Sequence, residues 1–199
     1  MCRFVETIRL QNHRLYNMYC HQMRYGRTVR HFFGGGYNAE NLEEVAAAFA
    51  DNDGVNKVRI VYGGAGIVSA SCAPYRMKII RSLRLVECGG IDYTYKYADR
   101  TALDNAMNRR GDCDNVVIVR DGMITDTSYT NIALYDGSRW LTPARPLLQG
   151  TALVRLLDEG RLISRDIKAG EVWDYSHIAL FNSMIDFGKL VLPTACVVR

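Results

Sequence analysis

Hydrophobic and polar positions change period several times along the chain. Phe4 to Leu10 is rich in β-formers and predicts a strand. From Asn17 the spacing turns helical through Met18, Gln22, Tyr25 and Val29, with Asn17 placed to cap the helix, and the run Gly34-Gly35-Gly36 ends it and predicts a mobile loop. Asn41, followed three residues later by Glu44, forms a capping-box-like start for a helix whose apolar face is Leu42, Val45, Ala46 and Phe49. Lys57 to Tyr62 alternates like a half-buried strand, and Met77–Ile80 and Leu83–Val86 predict two more strands around Ser82. A change of domain is expected near Arg81, giving a small N-terminal α+β domain over residues 1–80 and a larger C-terminal domain over residues 81–199.

The second half is more regular. Asp99 can cap a helix with Ala102, Leu103, Ala106 and Met107 on one face, closed by Gly111. Asn115–Val119, the segment ending at Asp126, Ile132–Tyr135 and Arg139–Leu141 are strand-like and punctuated by Asp121-Gly122 and Asp136-Gly137, which predicts an antiparallel meander. Gly150 and Thr151 open a helix over Leu153, Val154, Leu156 and Leu157 that stops at Gly160, and Ile178–Phe181 is a late buried strand ending at Asn182-Ser183. Interspersed helices with hairpins throughout predict an α+β fold, not a doubly wound parallel sheet.

Composition adds one asymmetry. The chain has 199 residues and a formal net charge of +4, yet residues 1–36 hold six arginines (Arg3, Arg9, Arg14, Arg24, Arg27, Arg30) against Glu6 alone. The remainder is balanced, with 19 bases and 20 acids. Arginine without lysine favours bidentate recognition of carboxylate or phosphate, with an accident of surface composition as the alternative. A nucleic-acid-binding module is a further reading of this basic segment, but it lacks a recognisable motif or a basic aromatic patch elsewhere. No stretch approaches the apolar length of a membrane span, and the N-terminus does not resemble a secretory signal. Six scattered cysteines without a CxxC pair read as reduced thiols of a cytoplasmic protein, with no metal site expected.

Three places could carry chemistry. Lys96, one of only five lysines, stands in Tyr93-Thr94-Tyr95-Lys96-Tyr97. A lysine among aromatic rings loses hydration, which frees its amine to attack a carbonyl, while the bland alternative is a surface lysine whose stem packs on tyrosines. Asp126 lies inside a strand-like run of small hydroxyl residues, where a buried acid needs a cation or a proton donor, unless it is a turn aspartate. Gly150, before the helix start at Thr151, can free backbone N–H groups to hold a phosphate, although many helices begin after a glycine.

In this order the motifs resemble the class IV, fold-type IV enzymes that use pyridoxal 5′-phosphate. The resemblance rests on Lys96-Tyr97-Ala98-Asp99-Arg100, on Asp121-Gly122 followed by Asp126 to Asn131, on Thr142-Pro143 and on Leu148-Gln149-Gly150-Thr151. Glu6-Thr7-Ile8-Arg9 and His21-Gln22-Met23-Arg24 match the family's opening strand and its His-x-x-Arg helix. Three features depart from the family: Asp126 stands where glutamate is usual, Leu153 where an arginine is common, and the chain is short.

The resemblance implies that Lys96 holds the cofactor and moves the substrate proton, and that Asp126 keeps the pyridine nitrogen protonated. It also implies that Arg24, the N–H groups of Thr151 and Ala152 after Gly150, and Ser183 beside Asn182 bind the phosphate, with Arg100 near the phenolic oxygen. A strand end is the alternative for Asn182-Ser183. The cofactor is expected in a cleft between the domains of a homodimer. Within the family the features lean towards 4-amino-4-deoxychorismate lyase, which releases pyruvate to leave 4-aminobenzoate, a step toward folate. A D-amino acid or branched-chain transaminase and a cofactor-binding protein with weak catalysis are the alternatives.

Overall fold

The computed structural model describes residues 2–34 and 40–199. Contacts divide them into two compact units, one comprising residues up to Met77 together with Tyr95–Asp99, the other Lys78–Thr94 and Arg100–Arg199. The return of Tyr95–Asp99 matters, because a division near Arg81 would leave Lys96 with the second domain. It groups with the first because Val5 N–H donates to the Lys96 carbonyl at 2.9 Å, Ala98 N–H donates to the Arg3 carbonyl at 2.8 Å, and Phe4 and Tyr97 form a β-bridge.

The first unit is built on β1 (Phe4–Gln11), β2 (Arg14–Leu15), α1 (Met18–Phe33), α2 (Leu42–Ala47), β3 (Val55–Gly63) and β4 (Gly66–Pro74). Its sheet runs β2-β1-β3-β4, antiparallel throughout. Alternation places Phe4, Ile8 and Leu10 in one core with Val58, Ile60 and Tyr62 of β3 and with Tyr25, Val29, Leu42 and Ala46 of the helices. The helix predicted from Asn17 is present, but Asn17 is left-handed (φ 60°) and its side chain makes no cap hydrogen bond. Asn41 does cap, accepting from Glu43 N–H at 2.9 Å, and its Nδ2 reaches Glu44. Gly34 ends α1, while Gly35 and Gly36 of the expected mobile loop lie outside the described residues.

Sequence periodicity overlooks β4, whose residues Ile67 to Pro74 are half-buried or exposed and mostly small, so no apolar alternation marks it. Met77–Ile80 is not a strand. Met77 and Ile79 are exposed, and their apolar side chains bury nothing there.

The second unit contains β5 (Leu83–Glu87), α3 (Thr101–Asn108), β6 (Asn115–Arg120), β7 (Met123–Thr127), β8 (Asn131–Tyr135), β9 (Trp140–Pro143), α4 (Thr151–Asp158), β10 (Ile163–Arg165), β11 (His177–Phe181), β12 (Val191–Pro193) and β13 (Val197–Val198). The expected meander is two hairpins in separate sheets, β13-β5-β6-β7 and β10-β9-β8-β11-β12. The separation occurs at Thr127–Thr130, where Thr127 N–H and Oγ1 both turn back to Thr130. β5–α3–β6 and β9–α4–β10 each form a parallel crossover inside the otherwise α+β architecture. Asp121 (φ 54°) and Gly122 (φ 73°) are both left-handed, as the tight β6–β7 turn requires. The cap position of α3 is occupied by Arg100, one residue beyond Asp99. Leu153, Leu156 and Ala152 of α4 pack on Ala133, Leu162 and Phe181.

Candidate functional site

The predicted residues fall into two groups. In the first unit, the inward face of β1 carries Glu6 between Phe4 and Ile8, a position where an ionised side chain must meet a counter-charge. α1 supplies it, because His21 and Arg24 are three residues apart and so share a face. Arg24 grips Glu6 bidentately, Nε to Oε1 at 2.8 Å and Nη2 to Oε2 at 2.5 Å, and His21 Nδ1 donates to Oε2 at 2.6 Å. Burial alone would raise the Glu6 carboxyl, but the Arg24 charge and the hydrogen bonds from His21 and Arg24 outweigh it and bring the pKa down to about 2. Burial holds His21 below its usual value despite Glu6, and the charges of Arg24 and Lys96 add to that effect. Glu6 therefore stays ionised, and His21 is neutral with its proton on Nδ1.

Lys96 is half-buried in this unit. The rings of Tyr95 and Tyr97 join Phe4 and Phe32, with Tyr97 5.3 Å from Phe4 and Tyr95 4.8 Å from Phe32, and they anchor the segment on both sides of the lysine. Glu6→Gln is expected to cost about 3–5 kcal/mol in urea unfolding at pH 7, because it leaves Arg24 buried without its counter-charge. A loss under about 1 kcal/mol would mean that water, not Glu6, satisfies Arg24. Since the folded pKa is depressed, the stability Glu6 provides is complete above its unfolded value of 4.5 and disappears as pH falls through about 2.

In the second unit, Asp126 is the penultimate residue of β7 and is buried, 5% exposed. Its Oδ1 accepts from Asn131 Nδ2 at 2.8 Å and its Oδ2 from Leu148 N–H at 2.9 Å. Desolvation outweighs these donors and pushes the carboxyl up to about 7. Gly150 caps α4, whose first-turn residues Thr151 and Ala152 are buried. A Cβ on Gly150 would lie 2.1 Å from Asn131 Oδ1, so any larger residue must displace the Asn131 amide from its hydrogen bonds. Arg100 Nη2 donates to the Ser128 carbonyl at 2.8 Å and Asn182 Nδ2 to the Tyr129 carbonyl at 3.1 Å, so both brace the loop that follows Asp126. Asn182 Oδ1 also accepts from Met184 and Ile185 N–H, closing the turn that holds Ser183.

Leu153 explains one departure from the expected pattern: it is 2% exposed in the core, where a guanidinium would be buried without a partner. Sequence reading assigned no role to Glu6, His21 or Asn131. Glu6 could have been singled out as the only acid among six arginines, on the core side of its strand.

Residues 93–190 match the amino-transferase class IV profile. A Haemophilus influenzae protein of uncharacterised activity is 31% identical over 183 residues, 90% of this chain and 96% of its own length. A Haemophilus somnus structure, provisionally assigned as 4-amino-4-deoxychorismate lyase, superposes with TM-score 0.85 at 31% identity, covering 93% of this chain and 97% of that one. The pyridoxal-phosphate-bound form of a Mycobacterium tuberculosis hypothetical aminotransferase shares the fold, with TM-score 0.77 at 16% identity, covering 98% of this chain and 81% of that one. With the fold-type IV arrangement of elements on both units and near-full-length likeness at 31% identity, the chain belongs to the class IV aminotransferase family.

Proposed function

We propose that the chain is a pyridoxal 5′-phosphate enzyme acting as a 4-amino-4-deoxychorismate lyase, which releases pyruvate and leaves 4-aminobenzoate. The observation that carries the cofactor reading is Asp126, a buried acid whose pKa of about 7 suits sharing a proton with an aromatic ring nitrogen. The second unit's residues fit the group further, since Gly150 brings the backbone into a space that a Cβ would fill.

Bound, the cofactor supplies a carbonyl that takes up a substrate amine and a protonated ring that draws electron density from the carbon beside that nitrogen. Lys96 provides the amine that holds the cofactor, then takes and returns a proton at the substrate. Asp126 keeps the proton on the ring nitrogen. Arg24, held by Glu6 through Nε and Nη2, would supply positive charge to the phosphate. The N–H groups of Thr151 and Ala152, with Ser183 in the turn closed by Asn182, would also hold the phosphate. Arg100, which braces the Ser128 carbonyl, would serve the phenolic oxygen.

The near-full-length likeness to the Haemophilus somnus protein supports lyase chemistry. Transamination to a keto acid would use the same residues. Offering aminodeoxychorismate in one assay and D- or branched-chain amino acids with 2-oxoglutarate in another separates them. The lyase reading expects 4-aminobenzoate and pyruvate in equal amounts, and it falls if only the keto-acid exchange turns over. The family likeness supports a homodimer, which light scattering would report as twice the chain mass. Six free cysteines suit the reducing cytoplasm. Among the described residues, no helix is long and apolar enough to cross a membrane.

A further inference from the structure

Asn131 opens β8 where the second unit's chain passes from one sheet to the other, and it is nearly buried. Its Nδ2 donates both to Asp126 Oδ1 at 2.8 Å and to the Leu148 carbonyl at 2.9 Å. Leu148 N–H in turn donates to Asp126 Oδ2 at 2.9 Å, so three residues close a ring of hydrogen bonds around the carboxylate. Gly150 N–H donates to the same Leu148 carbonyl at 2.9 Å. Asn131 Oδ1 meanwhile fills the space where a Cβ on Gly150 would stand. One amide side chain thus fixes the acid on β7 and the start of α4 together.

We propose that Asn131 is a positioning residue that sets the separation between the acid serving the cofactor ring and the turn serving its phosphate, by clamping Asp126 and Leu148–Gly150 in one hydrogen-bonded ring. The inference rests on the cofactor reading above. A ligand held at both ends tolerates little error in that separation. Tolerance is smaller with aspartate than with glutamate, because the shorter side chain cannot swing to follow a displaced ring. An apolar residue of similar size at position 131 would take one donor from the carboxylate and leave the Leu148 carbonyl to Gly150 N–H alone. An aspartate there would set a second acid against the first.

The test uses Asn131→Ala, with Asn131→Ser as the variant that keeps a small polar side chain should the first fail to fold. On protein without cofactor, an infrared titration of the Asp126 carboxyl, assigned by its absence in Asp126→Asn, is expected to show the midpoint moving upward, since a donor to the charged form is gone. For binding, pyridoxal 5′-phosphate is expected to weaken about 10- to 100-fold, the loss of one hydrogen bond to a charged group, and pyridoxal to weaken less. In a double-variant cycle, Gly150→Ala should lower the urea midpoint sharply in the native background and little beside Asn131→Ala, where the clash is absent.

An unmoved Asp126 midpoint, an unchanged preference for the phosphorylated ligand, or equal costs of Gly150→Ala in both backgrounds would each overturn the clamp. If the native protein takes up no pyridoxal 5′-phosphate, the cofactor reading fails on its own. The carboxyl titration and the glycine cycle would then still decide whether the clamp exists.

Discussion

Lys96→Ala is expected to leave a folded protein that forms no covalent link to pyridoxal 5′-phosphate and turns over on the order of 10⁴-fold more slowly, because both the attachment and the proton carrier are lost. Folding should survive, since the backbone bonds of Lys96 to the first unit do not depend on its side chain. Its carbonyl accepts from Val5 N–H, and the neighbouring Tyr97 and Ala98 N–H groups are bonded to Tyr95 and Arg3 carbonyls at 2.8 Å. The rings of Tyr95 and Tyr97 stay in the aromatic cluster whatever side chain stands between them. Visible absorbance after cofactor addition, beside a thermal melt, checks both halves. Native-like turnover would remove Lys96 from its role.

Asp126→Asn is expected to keep the cofactor attached but to cut turnover about 10²- to 10⁴-fold, the range for losing a positioned proton partner. It should also change the pH dependence of stability in the protein without cofactor. The folded pKa is raised, from 3.8 to about 7, so the folded state holds a proton that the unfolded chain releases first. The stability this contributes is complete below pH 3.8 and is lost as pH rises through about 7. With asparagine at 126 that slope should flatten, which urea midpoints at pH 4, 5.5 and 7.5 would reveal. An unaltered slope would mean that Asp126 is solvated and ionised throughout.

Much of this arrangement could be read from the chain, for physical reasons that differ by element. α1 and α4 announce themselves through apolar residues at helical spacing, and the β6–β7 turn through an Asp-Gly pair that tolerates left-handed backbone. β4 could not be read this way, because an edge strand of small, exposed residues carries no alternation, and its pairing with β3 is a tertiary choice. The division of one expected meander between two sheets is also non-local, fixed by the turn at Thr127–Thr130.

Among the proposed site residues, Lys96, Asp126 and Gly150 could be singled out because their order along the chain matches a family pattern, although each alone has an ordinary reading. The partnership of Arg24 with Glu6 did not stand out, since an arginine-rich segment suggests an external anion and hides the internal one. Asn131 was visible only as part of a motif. Its role follows from a distance of 2.1 Å to an absent Cβ, which no spacing in the sequence encodes.

The most direct test of the central claim mixes the native protein with pyridoxal 5′-phosphate, reduces it with borohydride and maps the modified peptide by mass spectrometry. A single pyridoxyl adduct on Lys96 is the predicted result. Absence of an adduct, or an adduct confined to Lys57, Lys78, Lys168 or Lys189, would contradict the account.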